Sequence, residues 1–361
     1  MRSETSYFLD LLRNWKVTLP FNELRSLRST NLNKESDTVC NMRVAVCYTG
    51  ALRTVLKTIR YFQQNVLLGP DVHVFACVQN DTTRSNAEWE AWLRTQMKGQ
   101  LVSLTWFDMA QHEEWIMFRE KNLACTTVPS HWKDYIRSSG SLIEYMQLFL
   151  AYRQLVHHEM GRRFSYDYVI RMRPDNLFAK PVDFHWLFWT EDDIEERLGR
   201  LRAKMTAHSI PETPDKVLQL FMATVLDDGL IENVANLCGE SKKGKGAVIP
   251  VTAAEYRDYL HRGSYILTYR ANNLYIVRRD LFYLLPSVGP MYGLLPTPVH
   301  DDYWFNAENQ FQAACYYSGL SVHDYNTLFE DKCLYDYDEK RYFDNEYRIL
   351  SPFMVYCLVR T

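Results

Sequence analysis

Short apolar runs alternate with helical segments from Met42 onward, and this alternation constrains the fold more than any other feature of the chain. Three runs have the length and β-branched content of buried strands: MRVAVCYTG, DVHVFACVQND and LVSLTWFD. Segments with helical spacing of apolar residues lie between them, and a long helical segment precedes a fourth strand, YDYVIRM. Strands that alternate with helices in this way predict an α/β fold, with a mostly parallel sheet and helices on both faces.

The same pattern divides the 361 residues into four predicted parts. Residues 1–41 are expected to be a helical extension followed by a polar linker, and residues 42–185 hold the regular alternation. Residues 186–262 are more charged and less regular, which favours an insertion or a small subdomain. Residues 263–361 return to strand character, first in a strand that leads into a helix and finally in the run FMVYCLV.

Composition excludes several classes of protein. A formal net charge of −3 argues against a protein whose main task is to coat nucleic acid. No apolar run approaches the roughly 20 residues that a membrane span requires. The eight cysteines are scattered and form no C-x-x-C pair, which favours reduced, buried thiols and a cytoplasmic protein rather than a zinc site.

Polar residues follow the first, second and fourth predicted strands at the point where each strand ends. These residues are Thr49, Gly50, Arg53, Asn80, Asp81, Arg171, Arg173 and Asp175. The carboxyl ends of parallel strands meet at one edge of a sheet, where α/β proteins bind their ligands. The sequence therefore predicts one binding site formed by three separate loops.

Two of these groups point to an anionic ligand. Gly50 would let backbone amides approach a phosphate at a helix N-terminus, and Arg53 could add a forked contact; the alternative is a tight turn with an exposed arginine. Arg171 and Arg173 share one side of a strand and require anionic partners if they are buried. A diphosphate with a divalent metal on Asp175 would serve, and so would a structural salt bridge from Asp175 to one of the arginines.

Acidic residues far along the chain are candidates for a second metal ligand or a general base. Asp302, beside Asp301, and Glu308 lie in HDDYWFNAEN, where Glu308 could equally complement a helix dipole. His323 follows another strand-like run and is a candidate metal ligand, although a single histidine is more often structural.

With these residues in view, the chain resembles nucleotide-sugar glycosyltransferases with a GT-A-type fold, and more narrowly a group from algae and their large DNA viruses. The resemblance is carried, in order, by VAVCYTGALRT, DVHVFACV, YDYVIRMRPD, NNLYIVRRD and NAENQF. In GT-A enzymes a D-x-D motif binds Mn²⁺ or Mg²⁺ together with the diphosphate of the sugar nucleotide. Here R-M-R-P-D occupies that position, so Asp175 matches the last acid and Arg173 replaces the first, which leaves metal dependence open.

The resemblance also implies roles for the rest of the site. Thr49, Gly50 and Arg53 would contact the nucleotide, and Asn80 or Asp81 would lie near the base or ribose. Residues 42–185 would then bind the nucleotide sugar, and residues 263–361 would bind the acceptor around Tyr269–Asn273 and His300–Glu308.

The predicted activity is transfer of a sugar from a UDP- or GDP-linked donor to a hydroxyl of a glycan or glycoconjugate, in the cytoplasm (the host's, if the protein is viral). Arg171, Arg173 and a divalent metal would stabilise the leaving diphosphate. An inverting enzyme would use Asp302 or Glu308 as base, whereas in a retaining enzyme these acids would only position the acceptor. The alternatives are a non-catalytic nucleotide-binding α/β module and, with less support, a nucleotidyltransferase.

Overall fold

The computed structural model describes most of the chain between Met42 and Val359. The described residues are 42–69, 71–124, 133–134, 137, 140–182, 184–225, 228–236, 249–262, 265–270, 273–286, 307–324 and 356–359. The predicted extension at 1–41 and the candidate acids Asp301 and Asp302 lie outside these ranges.

A seven-stranded sheet forms the centre of the fold. The described strands are β1 (Val44–Ala51), β2 (Val72–Gln79), β3 (Leu101–Trp106), β4 (Tyr168–Met172), β5 (Asn176–Phe178), β6 (Tyr265–Arg270), β7 (Leu274–Arg278), β8 (Ser321–Asp324) and β9 (Tyr356–Leu358). The order in the main sheet is β3-β2-β1-β4-β7-β6-β8, and β5 pairs with β9 in a separate ribbon. All pairings in the main sheet are parallel except those of β7, which runs antiparallel between β4 and β6.

Helices cover both faces of this sheet. The described α-helices are α1 (Val55–Asn65), α2 (Asn86–Gln96), α3 (Glu113–Ala124), α4 (Gly140–Arg162), α5 (Glu191–Ala207), α6 (Pro214–Thr224), α7 (Ala253–Arg262) and α8 (Ala307–Ser318). Short 3₁₀ segments lie at His185–Phe188 and Asp228–Asn236. The predicted α/β fold with a mostly parallel sheet is confirmed. The segment predicted to have strand character and then a helix contains two antiparallel strands, β6 and β7, and helical residues follow at 284–286.

The hydrophobic core has two parts, one on each face of the sheet. Successive strand residues point to opposite faces, so Val44 and Val46 join the part under α1, α2 and α5–α7, whereas Ala45 and Cys47 join the part under α3, α4 and α8. Because both faces are covered, the central strands can be apolar almost throughout. The helices of residues 186–262 share the first part of the core with the sheet, and the four-part division of the chain stays a prediction.

The hydrophobic helices and the thiols can be compared with the sequence among the described residues. No described helix has the length and apolar character needed to cross a membrane. Cys47, Cys77 and Cys315 are buried and free, as predicted for thiols inside strands and helices. Burial raises the pKa of the Cys47 thiol to about 12, which keeps it protonated and unreactive.

Candidate active site

The structure places the loops after β1, β2 and β4 side by side at one edge of the sheet. Ala51 and Gln79, the last residues of β1 and β2, pair with each other, whereas Met172, the last residue of β4, pairs with Tyr48, so the chain after β4 continues beside the end of β1. The backbone amide of Leu52 then donates to the Gln79 carbonyl at 3.1 Å. The predicted polar residues therefore come from loops that are neighbours in space.

Gly50, which the sequence placed after the first strand, is the next-to-last residue of β1 and lies against the loop after β4. Its φ is +139°, a conformation that residues with a side chain rarely adopt. A Cβ at this position would lie 3.1 Å from Pro174 Cδ and 3.7 Å from Arg173 Cβ. The glycine is needed here because the end of β1 packs directly on the loop after β4.

Asp175 lies between two guanidinium groups. Its carboxylate accepts hydrogen bonds from Arg173 Nε at 2.9 Å and Nη2 at 2.7 Å, and from Arg53 Nη2 at 3.2 Å. The Asp175 side chain is 2% exposed, and that of Arg53 is 40% exposed. The structural salt bridge that the sequence left as an alternative is thus present, and it joins the loop after β1 to the loop after β4.

The turn that carries Asp175 is held by neighbouring elements. Thr58 of α1 donates its hydroxyl to the Pro174 carbonyl at 2.6 Å, and the amide of Val359, directly after β9, donates to the Asp175 carbonyl at 2.9 Å. Asn176 accepts from the Arg173 amide at 2.9 Å. These contacts fix the position of Asp175 before any ligand is bound.

Arg171 and Arg173 point to the same face of the sheet, as their spacing predicts, and share two partners. Arg173 Nη1 donates to the Glu144 carboxylate and, at 3.1 Å, to Asn273 Oδ1. Arg171 Nη1 donates to the Asn273 carbonyl, and its Nη2 lies 3.7 Å from Glu144 Oε2. Burial lowers the pKa of Arg171, and the Glu144 charge opposes that effect.

Glu144 and Asn273 hold these arginines but were not assigned to this role from the sequence. Glu144 lies in the first half of α4, which runs back along the sheet from this edge to the start of β4. Asn273 directly precedes β7, whose antiparallel direction starts it where β4 ends. The two strand arginines indicated that some carboxylate must lie near them, since buried guanidiniums require carboxylates. The sequence does not indicate which of the acidic residues fills that role.

The side chains of Thr49 and Asn80 are placed differently from Arg53. Thr49 is fully buried, and its hydroxyl has no hydrogen-bond partner in the described part of the chain. Asn80 lies at the predicted edge, but its Nδ2 donates to the Arg84 carbonyl at 2.9 Å and to Asn86 Oδ1 at 2.7 Å. Thr49 is therefore a buried residue of β1 rather than of the loop after it, and Asn80 organises its own loop; a contact with a ligand remains a prediction for both.

Asp81 also forms local hydrogen bonds. Its Oδ1 accepts from the Thr83 amide at 3.0 Å, the Thr83 hydroxyl at 2.7 Å and Trp89 Nε1 at 3.0 Å. Burial raises the pKa of Asp81, but these hydrogen bonds outweigh it and bring the pKa below its usual value. The side chain organises the turn before α2, and its predicted place near a ribose or base is untested.

Glu308 lies toward the same edge as the arginines. β8 runs parallel to β6 and so begins at the opposite edge; α8, which leads into β8, therefore starts near the site. One turn after Glu308, the Phe311 ring lies 5.5 Å from that of Tyr275, which pairs in register with Arg171. The first turn of α8 is thus on the face of the sheet that carries the arginines.

His323 is not brought to Asp175. It lies on β8, three strands from β4 in the sheet order, a separation of about 14 Å at the usual strand spacing. Its ring faces the part of the core opposite Arg171, where Nε2 lies 3.0 Å from the Tyr259 hydroxyl. A shared metal site of Asp175 and His323 therefore requires a different arrangement of the sheet, because β7 and β6 separate them.

The residues present do not fit a divalent metal. Hard cations take several oxygen ligands, often from one or two carboxylates, but both oxygens of Asp175 accept from guanidiniums. Within the described ranges, no three His, Cys, Asp or Glu residues are grouped as a metal would require. Among the described residues, Arg53, Arg171 and Arg173 form ion pairs with Asp175 and Glu144, so these five side chains together carry one net positive charge. That charge suits an anion and disfavours a divalent cation.

Comparison with known proteins gives distant structural matches. No protein-family model and no curated protein matches the sequence. Core-mannan synthase A (CmsA/Ktr4) from Aspergillus fumigatus, in a Mn/GDP form, is 13% identical, with a TM-score of 0.32 and coverage of 81% of this chain and 75% of that one. The mannosyltransferase Ktr4p from S. cerevisiae is 10% identical, with a TM-score of 0.29 and coverage of 80% and 70%. Its complex with GDP gives 10% identity, a TM-score of 0.29 and coverage of 81% and 68%. At these values the likeness assigns no role to any residue of this chain.

Proposed function

We propose that this chain is a glycosyltransferase that binds a nucleoside diphosphate sugar at the edge where β1 and β4 end. The observation that carries the proposal is the gathering of Arg53, Arg171 and Arg173 at that edge, with one positive charge in excess over Asp175 and Glu144. Buried guanidiniums in excess of their carboxylates favour an anionic ligand. A diphosphate supplies several oxygens for the forked donors of arginine.

The exposure of the three arginines indicates which of them a diphosphate would contact first. Arg53 is the most exposed of the three arginines, at 40% against 1% for Arg171 and 12% for Arg173, and it lies two residues after the end of β1. A diphosphate would therefore meet Arg53 first. Arg173 lies behind it, and Arg171 beneath contributes charge rather than contact.

Sugar transfer makes use of such a site because negative charge develops on the leaving group. The acceptor oxygen forms a bond to the anomeric carbon as the bond from that carbon to the diphosphate oxygen breaks. The bonding electrons leave with the nucleoside diphosphate, and the hydroxyl proton passes to a base. Fixed guanidiniums that face the diphosphate stabilise this charge without reorganisation during the reaction.

We assign Glu308 as the candidate base or acceptor-positioning acid among the described residues. It begins α8 on the same face and toward the same edge as the arginines, so an acceptor held there would lie beside the donor. Glu144 is less suited to accept a proton because its carboxylate is engaged by Arg173. Asp302 remains a candidate from the sequence.

The second candidate function is a nucleotide-binding module without turnover. It is favoured by the buried ion pairs of Asp175, which resemble a structural core as much as a reaction centre. Donor hydrolysis separates the two, since a transferase slowly releases nucleoside diphosphate from its donor without acceptor and a binding module does not.

The test is a thermal-shift screen of the purified chain with UDP, GDP and their sugar conjugates. A ligand that binds only the folded state at about 100 times its Kd stabilises it by about 2.7 kcal/mol. Arg171→Met should reduce the shift, because it removes charge from the group that faces the diphosphate. Arg94→Met, in an exposed ion pair with Glu90 on α2, is the matched control and should leave the shift unchanged. The absence of a shift with every nucleotide would refute the proposed function.

A further inference from the structure

We propose that the diphosphate is bound here without a divalent metal, and that Arg53 and Arg173 supply the positive charge in its place. This inference rests on the proposed function and concerns how the same site works. It departs from the sequence-based expectation, in which Asp175 holds Mn²⁺ or Mg²⁺.

The coordination of Asp175 is the first observation. Arg173 donates two parallel hydrogen bonds to the Asp175 carboxylate, at 2.9 and 2.7 Å. This bidentate geometry is the strongest that an arginine and a carboxylate can form. Arg53 takes a further position on Oδ2 at 3.2 Å. A metal on Asp175 would have to displace guanidiniums from a carboxylate that is 2% exposed.

Charge is the second observation. A divalent cation would enter a group that already holds three guanidiniums against two carboxylates. Like charges at these separations repel strongly in a buried site. A diphosphate, by contrast, would bring negative charge that offsets the excess positive charge of the three guanidiniums.

The two arginines around Asp175 are held unequally, and this gives them different roles. Arg173 is fixed by Asp175 on one side and by Glu144 and Asn273 on the other. Arg53 is more exposed, at 40% against 12% for Arg173, and its contact with Asp175 is the longer one. Arg53 is therefore the guanidinium that can turn from Asp175 to an incoming phosphate, whereas Arg173 stays in place as a preformed charge.

Asp175 then acts as a positioning residue. It orients Arg173 by the paired hydrogen bonds and keeps Arg53 near the site while no ligand is bound. Its backbone is fixed independently by Val359 and by the Thr58 contact to Pro174. This accounts for a buried acid at the end of a strand without a metal partner.

The inference is tested by titrating GDP and UDP into the wild-type protein calorimetrically, once in excess EDTA and once in excess Mn²⁺. We expect the two Kd values to agree within about threefold, since a factor of ten corresponds to a free-energy difference of 1.4 kcal/mol. Binding that appears only with Mn²⁺, or that tightens more than about tenfold, would overturn the inference and leave the proposed function standing. No binding in either buffer would refute the proposed function itself, and the inference with it.

Arg53 variants give a second measurement in EDTA. Arg53→Ala removes charge-assisted hydrogen bonds to phosphate and should weaken nucleotide binding roughly 10- to 100-fold. Arg53→Lys keeps the charge without the fork and should recover part of that loss. Arg94→Ala on α2 is the control, and equal melting temperatures of the free proteins would show that each variant folds. Wild-type affinity in Arg53→Ala would overturn the role of this residue.

Discussion

Breaking the buried ion pair between Glu159 and Arg279 should strongly lower the free energy of unfolding. Arg279 Nε donates to Glu159 Oε1 at 2.8 Å, and Nη2 donates to Oε2 at 2.6 Å. The two side chains are 2% and 7% exposed, and they join the end of α4 to the residue after β7. Arg279→Met removes the charge but keeps much of the volume, so the Glu159 carboxylate is left buried without its guanidinium.

The expected loss follows from that uncompensated charge. Removing one partner of a buried pair typically costs about 3–5 kcal/mol of unfolding free energy. For a larger domain each kcal/mol corresponds to roughly 2–4 °C, so the melting temperature should fall by about 6–20 °C. The double variant Glu159→Leu, Arg279→Met should recover part of the loss, because no charge is then buried alone. It should not recover all of it, since the Tyr166 amide would lose its 3.0 Å bond to Glu159 Oε1.

The assay is denaturant unfolding of the wild type, both single variants and the double variant, analysed as a double-mutant cycle. Arg94→Met in the exposed pair on α2 is the control and should change stability by at most about 0.5 kcal/mol. Arg279 lies at the edge opposite the candidate site, where its amide donates to the Asp167 carbonyl before β4, so nucleotide affinity should not change. A loss below about 1 kcal/mol in Arg279→Met would refute the reasoning, because it would mean that water reaches Glu159 or that its charge is not buried.

Three further predictions follow from the described contacts. Gly50→Ala should destabilise the fold by about 1–3 kcal/mol and weaken nucleotide binding, because its φ of +139° is strained for alanine and the new Cβ meets Pro174; unchanged affinity would contradict this. Thr58→Val should cost about 1–3 kcal/mol in denaturant unfolding, since the buried Pro174 carbonyl loses its partner, and a neutral result would mean that water replaces the hydroxyl. Burial lowers the pKa of His158 below 6.5, so the unfolded state binds the proton first and stability should fall as pH drops below 6.5; unfolding curves at several pH values should show a smaller fall for His158→Gln, and an equal fall would exclude His158 as the cause.

The strand and helix pattern of the first half was readable because it depends on local properties. Apolar runs such as VAVCY are continuous where a strand is covered on both faces, and β1 is covered in this way. The hairpin of β6 and β7 was missed because periodicity shows that a segment is extended and not which strand it pairs with. The insertion of β7 between β4 and β6 depends on contacts between residues about 100 positions apart.

The sequence also indicated which edge would carry the polar residues, since parallel strands share their carboxyl ends. It could not indicate their partners. Asp175 could have held a metal or a guanidinium, and the choice depended on where Arg53 and Arg173 come to lie. His323 was a reasonable metal ligand by residue type alone, but the order of the strands places it far from Asp175.

What the sequence by itself determined is therefore the class of fold and the kind of charge gathered at the ends of its strands. Only the tertiary structure decided that Glu144 and Asn273 hold the arginines, that Gly50 packs against Pro174, and that Asp175 is enclosed by guanidiniums. The physical reason is the distance along the chain over which each property is determined. Strand and helix formation follow from neighbours in the chain, whereas the charge state and ligands of a buried group follow from distant residues that packing brings within about 3 Å.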